Sequence, residues 1–146
     1  MKRIALLILM ITISVGMFAQ VPEKVQVTFK EKYPDVTMVN WLHAPNGYKV
    51  SFVDKDQVQN MVIFSADGKI VRREMEVTKD YPQAIVEYYT KTYTDEKEKH
   101  IWLVTDENGN KTYYIKRADK IIYFDKEGKF AREEKPEIIK GNEDDH

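Results

Sequence analysis

The stretch VIFSADGKIVRRE at residues 62–74 returns sixty residues later as IYFDKEGKFAREE at residues 122–134. Both copies hold a phenylalanine, a Gly-Lys pair, an arginine and a glutamate at the same places. The same offset aligns three earlier pairs, namely Pro22 with Pro82, Phe29 with Tyr89 and Tyr33 with Tyr93. Matches in one order and at one offset indicate an internal repeat.

Each copy begins with a pattern typical of a short amphipathic helix. Apolar or aromatic residues recur every four positions, at Val21, Val25, Phe29 and Tyr33 and again at Tyr81, Ile85, Tyr89 and Tyr93. Residues four apart lie on one face of a helix, so we expect each stripe to be buried. Pro22 and Pro82 fit the first helical turn, where a missing N–H is tolerated.

Turn-forming dipeptides divide the rest of each copy into short strands, namely Asn46-Gly47, Asp67-Gly68 and Asn108-Gly109. If Asn46-Gly47 is a two-residue turn, Trp41 lies opposite Phe52. The same assumption at Asn108-Gly109 sets Trp102 opposite Ile115. Both tryptophans are then expected beneath the helices.

The sequence therefore predicts an α+β fold. Two copies of one helix plus a three- or four-stranded antiparallel meander form one continuous antiparallel sheet, with both helices on one face. The predicted segments are a signal peptide at residues 1–19, a first repeat at 20–77, a second repeat at 78–135 and a flexible acidic tail at 136–146.

The amino terminus is typical of a secretory signal. Lys2 and Arg3 form a positive region, residues 4–18 carry no charge, and Ala19 is small enough to precede a cleavage site. The apolar run is shorter than the roughly 20 residues of a membrane span. We expect a periplasmic or secreted protein without a membrane span after cleavage. An uncleaved anchor is the alternative, because Met17 is bulky where signal peptidase prefers a small residue.

Composition and spacing exclude several function classes. The chain has 146 residues, with 23 basic and 24 acidic side chains and no cysteine. This balance argues against a nucleic-acid partner, which requires a concentrated positive face. The three histidines lack metal-ligand spacing, and a calcium loop that begins at Asp106 would need a glycine where Lys111 stands and a glutamate where Arg117 stands. We predict no catalytic residue, no metal, no cofactor and no enzymatic activity.

One group of apolar residues is expected to point away from the helices. With the registers above, this group contains Ile63, Ile101, Leu103, Tyr114 and Tyr123. An exposed apolar patch of this kind is typical of a contact surface. A register shift of one residue would exchange the two faces.

These motifs resemble those of the PepSY-like and β-lactamase-inhibitor-protein-like (BLIP-like) exported proteins. In the first copy the matching features are the Val-Pro and Tyr-Pro ends of the first helix, Trp41, the Gly-Tyr-x-Val-x-Phe strand at 47–52 and Phe-x-x-Asp-Gly-Lys at 64–69. The second copy matches at Tyr81-Pro82, Trp102, Tyr113 and 124–129, but it has Glu127 in the place of Asp67. The resemblance implies a periplasmic tandem repeat with two helices on one face of a long sheet.

The leading functional prediction is an exported, non-enzymatic binding module. It is inhibitor-like through the resemblance, and it contacts a protein or peptide of the cell envelope through the helix-free face of its sheet. The alternative is a small-ligand carrier or envelope sensor with a pocket between sheet and helices. No pattern in the chain specifies an oligomeric state.

Overall fold

A computed structural model describes residues 20–94 and 99–136. In these residues the chain forms two helices and eight strands, in the order α1 (Glu23–Lys32), β1 (Val39–Ala44), β2 (Gly47–Val53), β3 (Gln59–Phe64), β4 (Ile70–Val77), α2 (Gln83–Thr92), β5 (Ile101–Asp106), β6 (Lys111–Lys116), β7 (Ile121–Phe124) and β8 (Phe130–Glu134). The predicted signal peptide and residues 137–146 of the predicted tail lie outside the described residues.

The eight strands form one antiparallel sheet in chain order, with β1 at one edge and β8 at the other. Each strand pairs with its neighbour along the chain. The predicted α+β class and the single antiparallel sheet are therefore confirmed. Neither helix of the described ranges is long and apolar enough to cross a membrane.

The central residues of the two helical stripes are buried as expected, and the residues at the ends of both stripes are half-buried. Val25 and Phe29 of α1 pack in one cluster with four strand residues, Val50, Phe52, Val62 and Phe64. Ile85 and Tyr89 of α2 pack in a second cluster with Ile101, Tyr113, Ile115, Ile122 and Phe124. Burial of these apolar side chains is the main favourable contribution to folding.

The first hairpin turns one residue earlier than predicted. Ala44 pairs with Gly47, so Trp41 lies opposite Val50 instead of Phe52. The register changes by two residues, and side chains in a strand alternate with a period of two. Trp41 therefore keeps its predicted face and packs edge-on against Phe29 of α1, with ring centroids 5.5 Å apart.

The hairpin of β5 and β6 departs from the prediction by one residue. Leu103 pairs with Tyr113, and Trp102 pairs with Tyr114 instead of Ile115. A shift of one residue moves every side chain of a strand to the other face. The prediction that Trp102 lies beneath a helix is therefore wrong.

The turn that follows β5 explains this shift. The Asp106 carboxylate accepts hydrogen bonds from the backbone N–H groups of Asn108 and Asn110, both at 2.9 Å. These bonds stabilise a loop longer than the two-residue turn that Asn108-Gly109 predicts. Gly109 has a φ of +82° inside this loop, a conformation that glycine adopts without strain.

A second glycine turn lies against α2. Gly128, between β7 and β8, has a φ of +85°, and a Cβ added there would lie 2.6 Å from the Cβ of Pro82. A Cβ added at Gly109 would meet nothing within 4 Å. The two glycines therefore share a backbone conformation and differ in their contacts.

We expect Gly128→Ala to lower the free energy of unfolding more than Gly109→Ala does. Both changes place a Cβ at positive φ, which costs about 1–2 kcal/mol. Only Gly128→Ala adds a clash with Pro82, and overpacking of this kind costs about 1–3 kcal/mol more. Urea unfolding of the two variants measures the difference, and equal losses would show that the contact with Pro82 is unimportant.

Candidate functional site

The outer face of the sheet is defined as the face that carries Glu74, Trp102 and Tyr114. Cross-strand pairing places Met61 beside Glu74, Glu74 beside Val104, Trp102 beside Tyr114 and Tyr114 beside Tyr123. Ile63 lies on the same side of β3 as Met61. Residues that face each other across strands share one side of a sheet, so this set forms one continuous surface.

Two of the predicted contact residues do not lie on this surface. Ile101 is 2% exposed within the core cluster of α2, and Leu103 packs against that cluster. Their predicted place on the helix-free face is wrong, because the register of β5 differs by one residue. Ile63, Tyr114 and Tyr123 do lie on the outer face, and their role in binding stays a prediction.

Four planar side chains form a row across β5–β8. The rings of Trp102 and Tyr114 are parallel within 4°, with centroids 6.0 Å apart. The centroids of Tyr114 and Tyr123 are also 6.0 Å apart, and the Arg132 guanidinium lies 4.1 Å from the centre of the Tyr123 ring. A guanidinium over an aromatic face is attracted by the ring quadrupole. We call these four residues the aromatic row.

Sequence reasoning missed Trp102 as a member of this surface. Residues 101–104 of β5 are apolar throughout, so hydrophobic alternation does not indicate which side of the strand is buried. The Asp106-x-Asn-x-Asn pattern was the available signal, because an aspartate that binds N–H groups ahead of it lengthens a turn.

A carboxylate is buried on the outer face beside the aromatic row. Glu74 is 7% exposed. One of its oxygens accepts a hydrogen bond from Nε of Arg72 at 2.7 Å, and the other accepts one from the Tyr114 hydroxyl at 3.0 Å. A buried charge is costly unless it is paired and hydrogen-bonded, and both conditions are met here.

The hydrogen bond between Tyr114 and Glu74 spans β5. Burial raises the pKa of the Tyr114 phenol above its usual value, and the charge of Glu74 raises it further. The phenol therefore stays protonated and donates its hydrogen to the carboxylate. The consequence is a tyrosine whose ring is fixed in one position on the outer face.

A similar arrangement lies at the β8 edge. Nε of Arg132 donates to Glu134 at 2.7 Å, as Arg72 does to Glu74 in the first half. Burial raises the pKa of Tyr123, and the charge of Glu134 adds to the effect. Glu134 is more exposed than Glu74, so this second arrangement is open to solvent.

A groove of about 890 Å³ opens at one end of the sheet. Its lining comes from the segment after α1, the ends of β1–β3 and Trp102, and its apolar part includes Val36, Met38, Phe52, Val53 and Met61. The groove therefore lies at the carboxyl end of α1, whereas the predicted pocket lies between sheet and helices. Trp102 belongs to the aromatic row and also lines the groove.

Titratable side chains do not gather into a metal site in residues 20–94 and 99–136. The His100 imidazole contacts the carboxylate of Glu76 on the strand next to β5. The outer face, as far as the chain is described, combines aromatic rings and charge pairs with apolar side chains such as Ile63 and Val104.

We expect Tyr114→Phe to destabilise the protein by about 2 kcal/mol, because hydrogen bonds to charged groups contribute roughly 1.5–3 kcal/mol. Tyr113→Phe is the matched control. Tyr113 is 8% exposed against 9% for Tyr114, and its hydroxyl has no hydrogen-bond partner among the described residues. Denaturant unfolding compares the two variants. Equal small losses in the free energy of unfolding would contradict the view that Glu74 holds the Tyr114 hydroxyl in place.

Solved structures share this fold. A predicted periplasmic protein from Bacteroides eggerthii has a TM-score of 0.68 at 18% identity, with 79% of this chain and 88% of that chain covered. A DUF2874 family protein from Bacteroides uniformis has a TM-score of 0.63 at 18% identity, over 78% and 88%. A BLIP-like protein from Bacteroides fragilis has a TM-score of 0.57 at 17% identity, over 89% and 94%.

No family model matches the chain, and a search of the curated proteins finds no match. At 17–18% identity, the solved structures show a common fold. The expected likeness to BLIP-like proteins is confirmed for the fold, and the PepSY-like part of the resemblance stays a prediction.

Proposed function

We propose that the chain is an exported, non-enzymatic binding module whose outer face contacts a protein or peptide of the cell envelope. The observation that carries the proposal is the aromatic row, Trp102, Tyr114, Tyr123 and Arg132. Tryptophan, tyrosine and arginine are the residue types most enriched among those that dominate protein–protein binding energies. A row of these residue types on one face of the sheet is therefore suited to contact another protein.

We infer that both helices cover the same side of the sheet. Val62, which contacts α1, pairs with Arg73, and Arg73 pairs with Thr105. Thr105 lies on the same side of β5 as Ile101, which contacts α2. The outer face is then free of helices along all eight strands, and a partner has access to the aromatic row.

The aromatic row is held in place before any partner binds. Glu74 fixes the hydroxyl of Tyr114, and Arg132 lies over the ring of Tyr123. Side chains that are ordered in the free protein lose less conformational entropy on association, which strengthens binding. Ile63 and Met61 extend the contact surface towards β3, and Trp102 takes the place predicted for Ile101 and Leu103.

The proposed module is exported and consists of two copies of one unit. The charged and apolar pattern of residues 1–19 supports cleavage of a signal peptide, and a structural relative is a predicted periplasmic protein. We infer from the internal sequence repeat that residues 20–77 and 78–135 are two copies of one unit, and the helix followed by four strands in each range supports this. The BLIP-like relative suggests that the module blocks the active site of an envelope enzyme.

The double variant Trp102→Ala/Tyr123→Ala tests the outer face. Truncation of each dominant contact residue costs about 2 kcal/mol or more in binding free energy, so we expect cross-linked capture of the envelope partner to fall by a factor of several hundred. Tyr114 is left unchanged because its truncation would remove one of the two hydrogen-bond partners of the buried Glu74 carboxylate. Captured proteins are identified by mass spectrometry.

Phe130→Ala is the matched control for this capture. Phe130 is an exposed aromatic residue of β8 that pairs with Phe124 and stacks on Tyr88 of α2, so it faces the helical side. We expect the control to retain the partner. Equal capture by the double variant and the wild type would remove the outer face from consideration.

The groove supports a second candidate, a small-ligand carrier or sensor. Its volume of about 890 Å³ falls in the range of ligand sites, roughly 300–1,000 Å³. A ligand that binds only the folded state raises the melting temperature. A metabolite that does so in the wild type, and not after Met38→Ala in the groove lining, would favour the groove over the aromatic row.

A further inference from the structure

The two edges of the sheet differ in charge. The β8 edge carries Arg132, Glu133 and Glu134, and each of them is exposed. The β1 edge has the sequence VNWLHA and holds no lysine, arginine, aspartate or glutamate. Edge strands present unpaired N–H and C=O groups, and natural proteins protect them with charged side chains. β8 has this protection and β1 lacks it.

Apolar side chains surround the unprotected edge. Met38 is 83% exposed, Leu42 is 44% exposed, and Val39 and Val53 are 37% and 50% exposed. They lie on β1, directly before it, and at the end of β2. An uncharged edge strand with exposed apolar neighbours is the kind that accepts another strand.

We propose that β1 pairs antiparallel with β1 of a second copy of this chain, which joins two sheets across a two-fold axis. No charged side chain of either β1 strand enters the contact, so no like-charge repulsion arises. When the pairing is centred on Asn40, Met38 faces Leu42 of the second copy, and Val39 faces Trp41. Backbone hydrogen bonds and apolar contacts then cover the edge together.

The β1 strand of a second copy fits this edge better than the β8 strand of another molecule does. Pairing of β1 with β8 of another molecule would place Glu133 and Glu134 against an uncharged strand. That contact is also heterologous, so it would continue into an open filament, whereas a two-fold contact closes on itself. After β1–β1 pairing, only the charged β8 edges remain at the two ends.

This pairing is independent of the proposed partner contact. The aromatic row lies on β5–β8, and β1 forms the opposite edge of the sheet. Failure of one proposal therefore leaves the other unaffected.

Sedimentation equilibrium of the purified protein over a micromolar to millimolar range tests the dimer. We expect the wild type to approach twice its monomer mass, and Leu42→Lys to weaken association at least tenfold by adding charge to the edge. Val27→Lys on α1 is the matched control, because Val27 is 46% exposed against 44% for Leu42. It should associate like the wild type.

Two results would overturn the proposal. One is a wild type that stays monomeric over the whole range, and the other is a Leu42→Lys variant that associates as strongly as the wild type. Circular dichroism verifies the fold of each variant. If Leu42→Lys alters the fold, Asn40→Lys adds a charge at the same exposed edge and is judged by the same two results.

Discussion

The hydrogen bonds of the Asp106 carboxylate are the interaction on which the rest of the structure depends. They lengthen the turn after β5 and pair Trp102 with Tyr114. Because side chains alternate along a strand, any odd change in this register would bury Trp102 and expose Ile101. A few surface hydrogen bonds in one loop thus determine which aromatic residues lie on the outer face.

Once the register is set, the outer face has a polar centre among its aromatic rings. Glu74 is buried there because neighbouring side chains of the same face surround it, and its two oxygens bind Arg72 and Tyr114. The charge would be costly without these partners. These partners fix the tyrosine ring. They also add polar groups to a face with many apolar groups, and a purely apolar face would favour nonspecific association.

The sequence predicted the structure correctly where a single hydrophobic pattern was clear. The four-residue stripes predicted both helices, and their central residues pack in the two core clusters. The alignment of Trp102 with Trp41 was misleading, since the sixty-residue offset places Ile101 on Trp41. The structure gives Ile101 the place of Trp41, since Ile101 lies opposite Ile115 in the second core cluster as Trp41 lies opposite Val50 beside the first.

What the sequence could not provide was the loop geometry and the network that depends on it. Asn108-Gly109 is typical of a two-residue turn, and β5 is apolar on both sides, so neither local propensity nor periodicity opposed the wrong register. The bond between Tyr114 and Glu74 joins residues forty positions apart. Such a contact follows from the strand order, and no local pattern predicts it.

Nuclear Overhauser contacts of the Trp102 indole test the central claim most directly. The account predicts strong contacts from the indole protons to the ring of Tyr114, and none to Ile85 of α2. Contacts between the Trp102 indole and Ile85 or Tyr89 would place the tryptophan beneath the helix and would contradict the assignment of the outer face.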